Sequence, residues 1–247
     1  MLFRSGQAGL DITAWYYNAN RSWHGGHLEG VVTGKNLAPH QHGAIVEDVE
    51  RGFSDSLRAL PWQTDTCLGN WHYERALFER HAYKSAASVV TRLCDVVSKN
   101  GNLLLSVPIR GNGSIDSDEV DILKDIGNWM QLNGEAIFNS RPWRVYGEGP
   151  TRERQGNSES IAYTPDDLRF TTRSNNLYIL ALGWVKAESL SVRSLFRAAG
   201  EVRRVELLGC EATLDFKQDH QGLQVHIPST VAGKSVPVFR VQGNGLV

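Results

Sequence analysis

The sequence has 247 residues, of which 41% are hydrophobic and 21% are charged, a balance typical of a globular protein with one large or two modest domains. Its formal net charge of −1 and its scattered basic residues provide no basic patch for nucleic acid or for an anionic membrane surface. No stretch reaches the ~20 apolar residues of a membrane span, and the first residues lack the apolar centre of a signal peptide, so the sequence as written predicts a cytoplasmic protein.

The N-terminal part alternates predicted helices and short strands. Residues 10–23 carry aromatic side chains that fit along a helix, and residues 28–32 form the next predicted strand, which ends in the loop TGKN. Residues 43–49 are apolar enough for another strand, one more strand is predicted at residues 62–68, and a long helix is predicted from about Glu74.

A stronger pattern follows, because two helical periods flank a continuous apolar run. Residues 85–97 place their apolar side chains on one helical face, and residues 116–132 do the same. Between them, residues 103–107 are predicted to form a strand that is buried on both faces. The second helix should begin with Ser117 or Asp116 as its N-cap and end at Asn133 and Gly134. A helix, a buried strand and a helix make a parallel α/β unit.

The character of the chain changes near residue 145. A polar, glycine-rich stretch is followed by short alternating segments, among them LRFTTR, NLYILALGW, RRVELLG and GLQVHIP. Such segments, separated by turn residues, predict an antiparallel β-sandwich of six to eight strands. We therefore predict two domains, at residues 1–145 and 146–247.

The cysteines and histidines suggest no metal site. Cys67, Cys94 and Cys210 lie far apart in sequence and follow no ligand spacing, so buried free thiols are the simplest interpretation. The histidines between residues 24 and 42 lie in a glycine-rich stretch that is most simply a loop.

Five segments in order carry a family resemblance: VVTGKN, EDVERG, PWQTDTCLGNWHY, VSKNGNLLLSVP and NGEAIFNSRPW. Over residues 7–247 the chain resembles the second half of the α-L-fucosidases of glycoside hydrolase family 29, followed by their C-terminal β-sandwich. The resemblance implies an α/β plus all-β fold, with a partial (β/α)8 (TIM-type) barrel before the antiparallel sandwich. Residues 1–145 contain at most four predicted strands, whereas a closed barrel needs about eight.

The resemblance implies retaining cleavage of terminal α-L-fucose by two carboxyl groups. The nucleophilic aspartate of the relatives is expected before Met1, and the nearby Asp11 is more typical of a charge or cap at the start of a helix. Glu50 corresponds to the general acid/base, with Glu47 and Asp48 as alternatives. The alternative interpretation is a solvated acidic loop with Arg51 as its counter-ion; the resemblance favours the catalytic interpretation, whereas the spacing alone favours it less.

Substrate-binding residues are also implied by the resemblance. Lys35 matches a basic residue that contacts the sugar or the nucleophile, although a surface lysine is an equally good interpretation. Trp62, Trp71 and His72 lie in a segment that lines the pocket in relatives, but each could instead be a core residue. Gln63 occupies a position where many relatives have glutamate, and an amide cannot act as a carboxylic acid.

The implied partner is a fucosylated oligosaccharide or glycoconjugate, and the chemistry requires neither a metal nor an organic cofactor. The alternative is a catalytically inactive, truncated fucosidase fragment that at most binds sugar or associates with itself. A half-barrel would leave a strand edge unpaired near residues 28–32, which predicts a homo-oligomer.

Overall fold

The computed structural model describes residues 6–151, 156–157, 161–183, 188–210, 213–228 and 235–247. Within them, none of the helices has the length and apolar character needed to cross a membrane. The helices are α1 (Gly6–Trp23), α2 (Arg75–Glu79), α3 (Ala86–Ser98) and α4 (Ser117–Asn133). The strands are β1 (Thr33–Gly34), β2 (Val46–Glu50), β3 (Gly52–Phe53), β4 (Trp62–Cys67), β5 (Gly101–Ser106), β6 (Arg141–Glu148), β7 (Gly156–Asn157), β8 (Leu168–Arg173), β9 (Asn176–Ala181), β10 (Ser189–Val192), β11 (Glu201–Leu207), β12 (Phe216–Gln218), β13 (Leu223–His226) and β14 (Val238–Asn244).

A parallel sheet in the order β1-β2-β4-β5 forms the first part of the fold. The strand predicted at residues 28–32 is wrong, because the structure forms only β1 just after it. The backbone N–H of Glu29 donates to Asn20 Oδ1 at 2.8 Å, and that of Val32 donates to the Tyr17 hydroxyl at 3.2 Å. Side chains of α1 therefore use donors that a strand ladder would need.

Strand β5 lies at an edge of this sheet, so the prediction that it is buried on both faces is also wrong. Leu104 remains 53% exposed, and Leu103 and Leu105 are half-buried. An apolar run indicates that a strand can be buried, but the neighbouring elements decide whether it is. Gly101 permits close packing here, since an added Cβ would approach the Trp62 ring to 2.6 Å.

The helices follow their capping signals. Ser85 Oγ accepts a hydrogen bond from the Ser88 N–H at 3.2 Å and starts α3. Asp116, rather than Ser117, is the N-cap of α4, where it forms a capping box with Glu119. The long helix predicted from Glu74 is wrong, because α2 ends after five residues and a turn separates it from α3.

The predicted antiparallel sandwich is confirmed. One sheet has the order β11-β14-β9-β8-β6 and the other the order β10-β13-β12. Alternation along β9 divides its side chains between two cores: Leu177 and Ile179 face the sandwich interior, whereas Tyr178 and Leu180 pack against helices α3 and α4. Strand β6 crosses residue 145, where the boundary between domains is predicted.

Buried charges join α3 to the sandwich. Asp95 Oδ2 accepts a hydrogen bond from Lys99 Nζ at 3.0 Å, and Asp95 Oδ1 accepts one from Arg169 Nε at 2.6 Å; Lys99 Nζ also lies 2.8 Å from Oδ1. Lys99 Nζ also donates to the Ser54 carbonyl at 2.8 Å. We call Asp95, Lys99 and Arg169 the Asp95 cluster; all three side chains are at most 2% exposed.

Candidate active site

One face of the parallel sheet is polar. Side chains alternate along a strand, and Asp48 and Glu50 of β2 are directly opposite Gln63 and Asp65 of β4. These four residues therefore share a face, which also receives Lys35 from the segment after β1. We call Lys35, Asp48, Glu50 and Asp65 the Lys35 cluster.

Lys35 is the centre of this cluster. Its Nζ lies 2.6 Å from Asp65 Oδ2, 3.4 Å from Glu50 Oε2 and 3.6 Å from Asp48 Oδ2. Burial alone would lower the pKa of Lys35, but the surrounding carboxylates outweigh burial and raise this pKa above its ordinary value. The ammonium group therefore remains charged and counters a cluster of acids.

Asp48 is an acid of this cluster whose pKa lies above its ordinary value. It is buried, and its Oδ1 has no hydrogen-bond partner among the residues that the structure describes. Burial raises the pKa of Asp48, the negative charge of Asp65 raises it further, and Lys35 and Gln63 offset only part of the rise.

Glu50 and Glu47 lie in different environments although both belong to β2. The Glu50 side chain is 52% exposed at the carboxyl end of the strand and lies beside Lys35. Glu47 is on the opposite face, where Arg58 Nη1 donates to its Oε2 at 2.7 Å. Of the two alternatives to Glu50, only Asp48 therefore joins the Lys35 cluster.

Sequence reasoning did not identify Asp65 as part of the site. Its Oδ2 accepts from Lys35, and its Oδ1 accepts from the backbone N–H of Arg51 at 2.9 Å. Strand alternation over residues 62–67 was the available signal, because it places Gln63, Asp65 and Cys67 on one face.

The predicted substrate-binding aromatic residues differ in exposure. Trp62 is fully buried, and its indole N–H donates to the Lys99 carbonyl at 2.9 Å. Its ring offers no surface to a sugar, so we assign Trp62 to the core instead. Trp71 is 37% exposed, with the Arg51 guanidinium 4.6 Å from its ring centre, and His72 is exposed nearby in the chain.

The geometry supports proton transfer. A half-exposed carboxyl group, a buried acid with a raised pKa and a shared cation lie together near the carboxyl ends of parallel strands, where ligands commonly bind in α/β sheets. Among the described residues, no group of three or more histidine, cysteine, aspartate or glutamate side chains could hold a metal ion. The three cysteines are free thiols, and Cys67 and Cys94 are buried as predicted, whereas Cys210 is only half-buried.

Solved structures resemble this fold. An α-L-fucosidase with 22% sequence identity superposes with a TM-score of 0.73, covering 96% of this chain and 50% of that one. The Thermotoga maritima α-fucosidase has 26% identity and a TM-score of 0.71, with the same coverage of 96% and 50%.

Sequence comparisons agree. The bovine tissue α-L-fucosidase is 27% identical over 231 residues, which cover 88% of this chain and 43% of that protein. The Branchiostoma floridae α-L-fucosidase is 26% identical over 245 residues, covering 94% of this chain and 49% of the relative. The chain thus spans about half the length of these relatives. The model of the α-L-fucosidase family matches residues 9–135, and that of the α-L-fucosidase C-terminal domain matches residues 160–242. The chain belongs to the α-L-fucosidase family.

Proposed function

We propose that this chain acts in the retaining hydrolysis of terminal α-L-fucose from oligosaccharides or glycoconjugates, with Glu50 as general acid/base. The observation that carries the proposal is the position of Glu50, half-exposed at the end of β2 and 3.4 Å from Lys35. A general acid/base must reach the leaving oxygen and then a water molecule, so it must be accessible. Glu50 meets this requirement, whereas the buried Asp48 does not.

The remaining residues have supporting roles in this proposal. Lys35 keeps positive charge beside the carboxyl groups while a proton leaves or returns to Glu50. Trp71 and His72 provide exposed ring surface near the site for the apolar face of a sugar. We also propose that the parallel sheet is part of a (β/α)8 barrel, in line with the order of the family motifs.

Release of p-nitrophenol from p-nitrophenyl α-L-fucoside tests the function. We expect the Glu50→Gln variant to lose about 10²- to 10⁴-fold in kcat, because hydrolysis of the glycosyl-enzyme then lacks its general base. Glu47→Gln is the matched control, because it makes the same change on the opposite face of the same strand. A folded wild-type chain without turnover, or equal losses in both variants, would contradict the proposal.

Azide distinguishes a general acid/base from a residue that only supports the fold. Where a nucleophilic carboxylate has formed the glycosyl-enzyme, azide in Glu50→Ala should attack the anomeric carbon without needing proton abstraction: the carbon–nitrogen bond forms as the ester bond breaks, and the carboxylate leaves as its anion. We expect azide to restore p-nitrophenol release and to give the fucosyl azide of retained configuration. Failure of azide to accelerate the variant would count against Glu50 in this role.

We further propose that the chain forms a homo-oligomer. The support is a set of exposed apolar side chains on α1 and in the segment after it: Leu10, Ile12, Trp15, Trp23, Leu28 and Val31. Light scattering on the purified chain should give a mass above that of one copy. A monodisperse monomer at every concentration measured would overturn the proposed homo-oligomer.

A further inference from the structure

Asp65 makes two contacts that converge on the surroundings of Glu50. Its Oδ2 accepts from Lys35 Nζ at 2.6 Å, which is the shortest of the three carboxyl contacts of that ammonium group. Its Oδ1 accepts from the Arg51 backbone N–H at 2.9 Å, and Arg51 directly follows Glu50. Arg51 has a φ of 47°, in the left-handed region that is uncommon for residues other than glycine. The buried carboxylate of Asp65 therefore binds both the Lys35 ammonium group and the backbone at Arg51, just after β2.

We propose that Asp65 is a positioning residue of the candidate active site, which holds Lys35 between the carboxyl groups and fixes the backbone that presents Glu50. The proposal rests on the function proposed for Glu50. Asp65 itself is buried and acts through its neighbours.

The distribution of charge follows from the same contacts. Three carboxyl groups share one ammonium group, and the shortest contact belongs to Asp65. Asp48 has the longest contact to Lys35 and a buried oxygen without a partner among the described residues, and both features disfavour its charged form. The groups that face Asp48 are Lys35, Asp65 and Gln63, with Glu50 beside it on β2.

The titration of Asp48 tests this arrangement without substrate. The carboxyl carbon of Asp48 can be followed by NMR in chain labelled with [¹³Cγ]aspartate and assigned with Asp48→Asn. In Asp65→Asn, the pKa of Asp48 should fall, because a like charge is lost and Lys35 is released toward Asp48. In Lys35→Met, the pKa of Asp48 should rise.

Asp121→Asn is the control, since it removes an exposed carboxylate on α4 that pairs with Lys124. The control should leave the titration of Asp48 unchanged. Opposite shifts in the two cluster variants support the proposal. An unchanged Asp48 pKa in Asp65→Asn, or shifts of the same sign in Asp65→Asn and Lys35→Met, would overturn it.

Kinetics with p-nitrophenyl α-L-fucoside add a second readout. We expect Asp65→Asn to lower kcat about 100-fold with little change in KM, as expected when a catalytic group is misplaced while ground-state binding persists. An unchanged kcat would overturn the positioning role. If the wild-type chain shows no turnover, the function proposed for Glu50 fails, and the Asp48 titration alone decides the role of Asp65 in holding Lys35.

Discussion

Two groups of charged side chains in this molecule use the same residue types for different ends. In the Asp95 cluster, two cations share one carboxylate, and every side chain is at most 2% exposed. In the Lys35 cluster, one cation serves three carboxyl groups, and exposure ranges from 9% for Asp48 to 52% for Glu50. The first group is closed and rich in hydrogen bonds, whereas the second is open and has an excess of acid.

The difference fits the proposal that the Asp95 cluster is structural and that the Lys35 cluster is chemical. Buried charges without partners are costly, and each charge of the Asp95 cluster has a partner. Asp95 of α3 pairs with Lys99 and with Arg169 of β8, and Lys99 also donates to the Ser54 carbonyl. In the Lys35 cluster, burial and the negative charge of the nearby Asp65 raise the pKa of Asp48. Acids with a shifted pKa that lie beside an accessible carboxyl group are typical of functional sites.

The largest effect is expected from Asp95→Asn. This change leaves Lys99 and Arg169 buried without the carboxylate between them, which should lower the free energy of unfolding by about 3–5 kcal/mol. Urea unfolding followed by circular dichroism measures the loss. Asp121→Asn, an exposed change of the same kind, should show no measurable effect. A loss for Asp95→Asn as small as that of the control would end the structural interpretation of this cluster.

Asp48→Asn should act in the opposite direction. Folding raises the pKa of Asp48 above its ordinary value of 3.8. Below pH 3.8 the protonated Asp48 therefore adds to the free energy of unfolding, and this contribution disappears as the pH rises through the folded-state pKa. Asparagine stays uncharged at every pH, so the variant does not lose this stability and should have a higher free energy of unfolding than wild type at neutral pH. Urea unfolding at pH 3 to 8 should show the stability difference between variant and wild type growing in favour of the variant. A variant that is less stable at neutral pH would show that Asp48 is a structural partner instead.

The smallest effect is expected from Glu47→Gln. Glu47 and Arg58 form a half-buried pair, and such pairs contribute up to about 1 kcal/mol. This variant should lose no more than that in urea unfolding and should keep its turnover of p-nitrophenyl α-L-fucoside. Loss of turnover without loss of stability would extend the site to both faces of β2.

The elements that the sequence predicted well carry their own local signals. Helices α3 and α4 have apolar periodicity and N-caps, and β4 is a short segment that begins at the buried Trp62 and ends at the buried Cys67. The strand predicted at residues 28–32 failed because side chains of α1 bind its backbone donors, across 9 and 15 residues of sequence, and hydrophobic periodicity does not report such hydrogen bonds. The exposure of β5 likewise depends on its place at the sheet edge.

The candidate site shows the same division. Family resemblance identified Glu50 and Lys35, and strand alternation alone separates Glu47 from Asp48, since adjacent residues face opposite sides of a sheet. The contribution of Asp65 needed the pairing of β2 with β4, which places it opposite Glu50. The burial of Trp62 depended on Gly101 of the neighbouring strand, which allows close packing.

The most direct test of the contrast measures stability and turnover on the same two variants, Glu50→Gln and Asp95→Asn. If the Lys35 cluster is chemical and the Asp95 cluster structural, Glu50→Gln will keep the wild-type unfolding free energy and lose turnover of p-nitrophenyl α-L-fucoside. Asp95→Asn will lose unfolding free energy, and its remaining folded fraction will keep turnover. A Glu50→Gln variant with full turnover, or one that unfolds as readily as Asp95→Asn, would contradict the account.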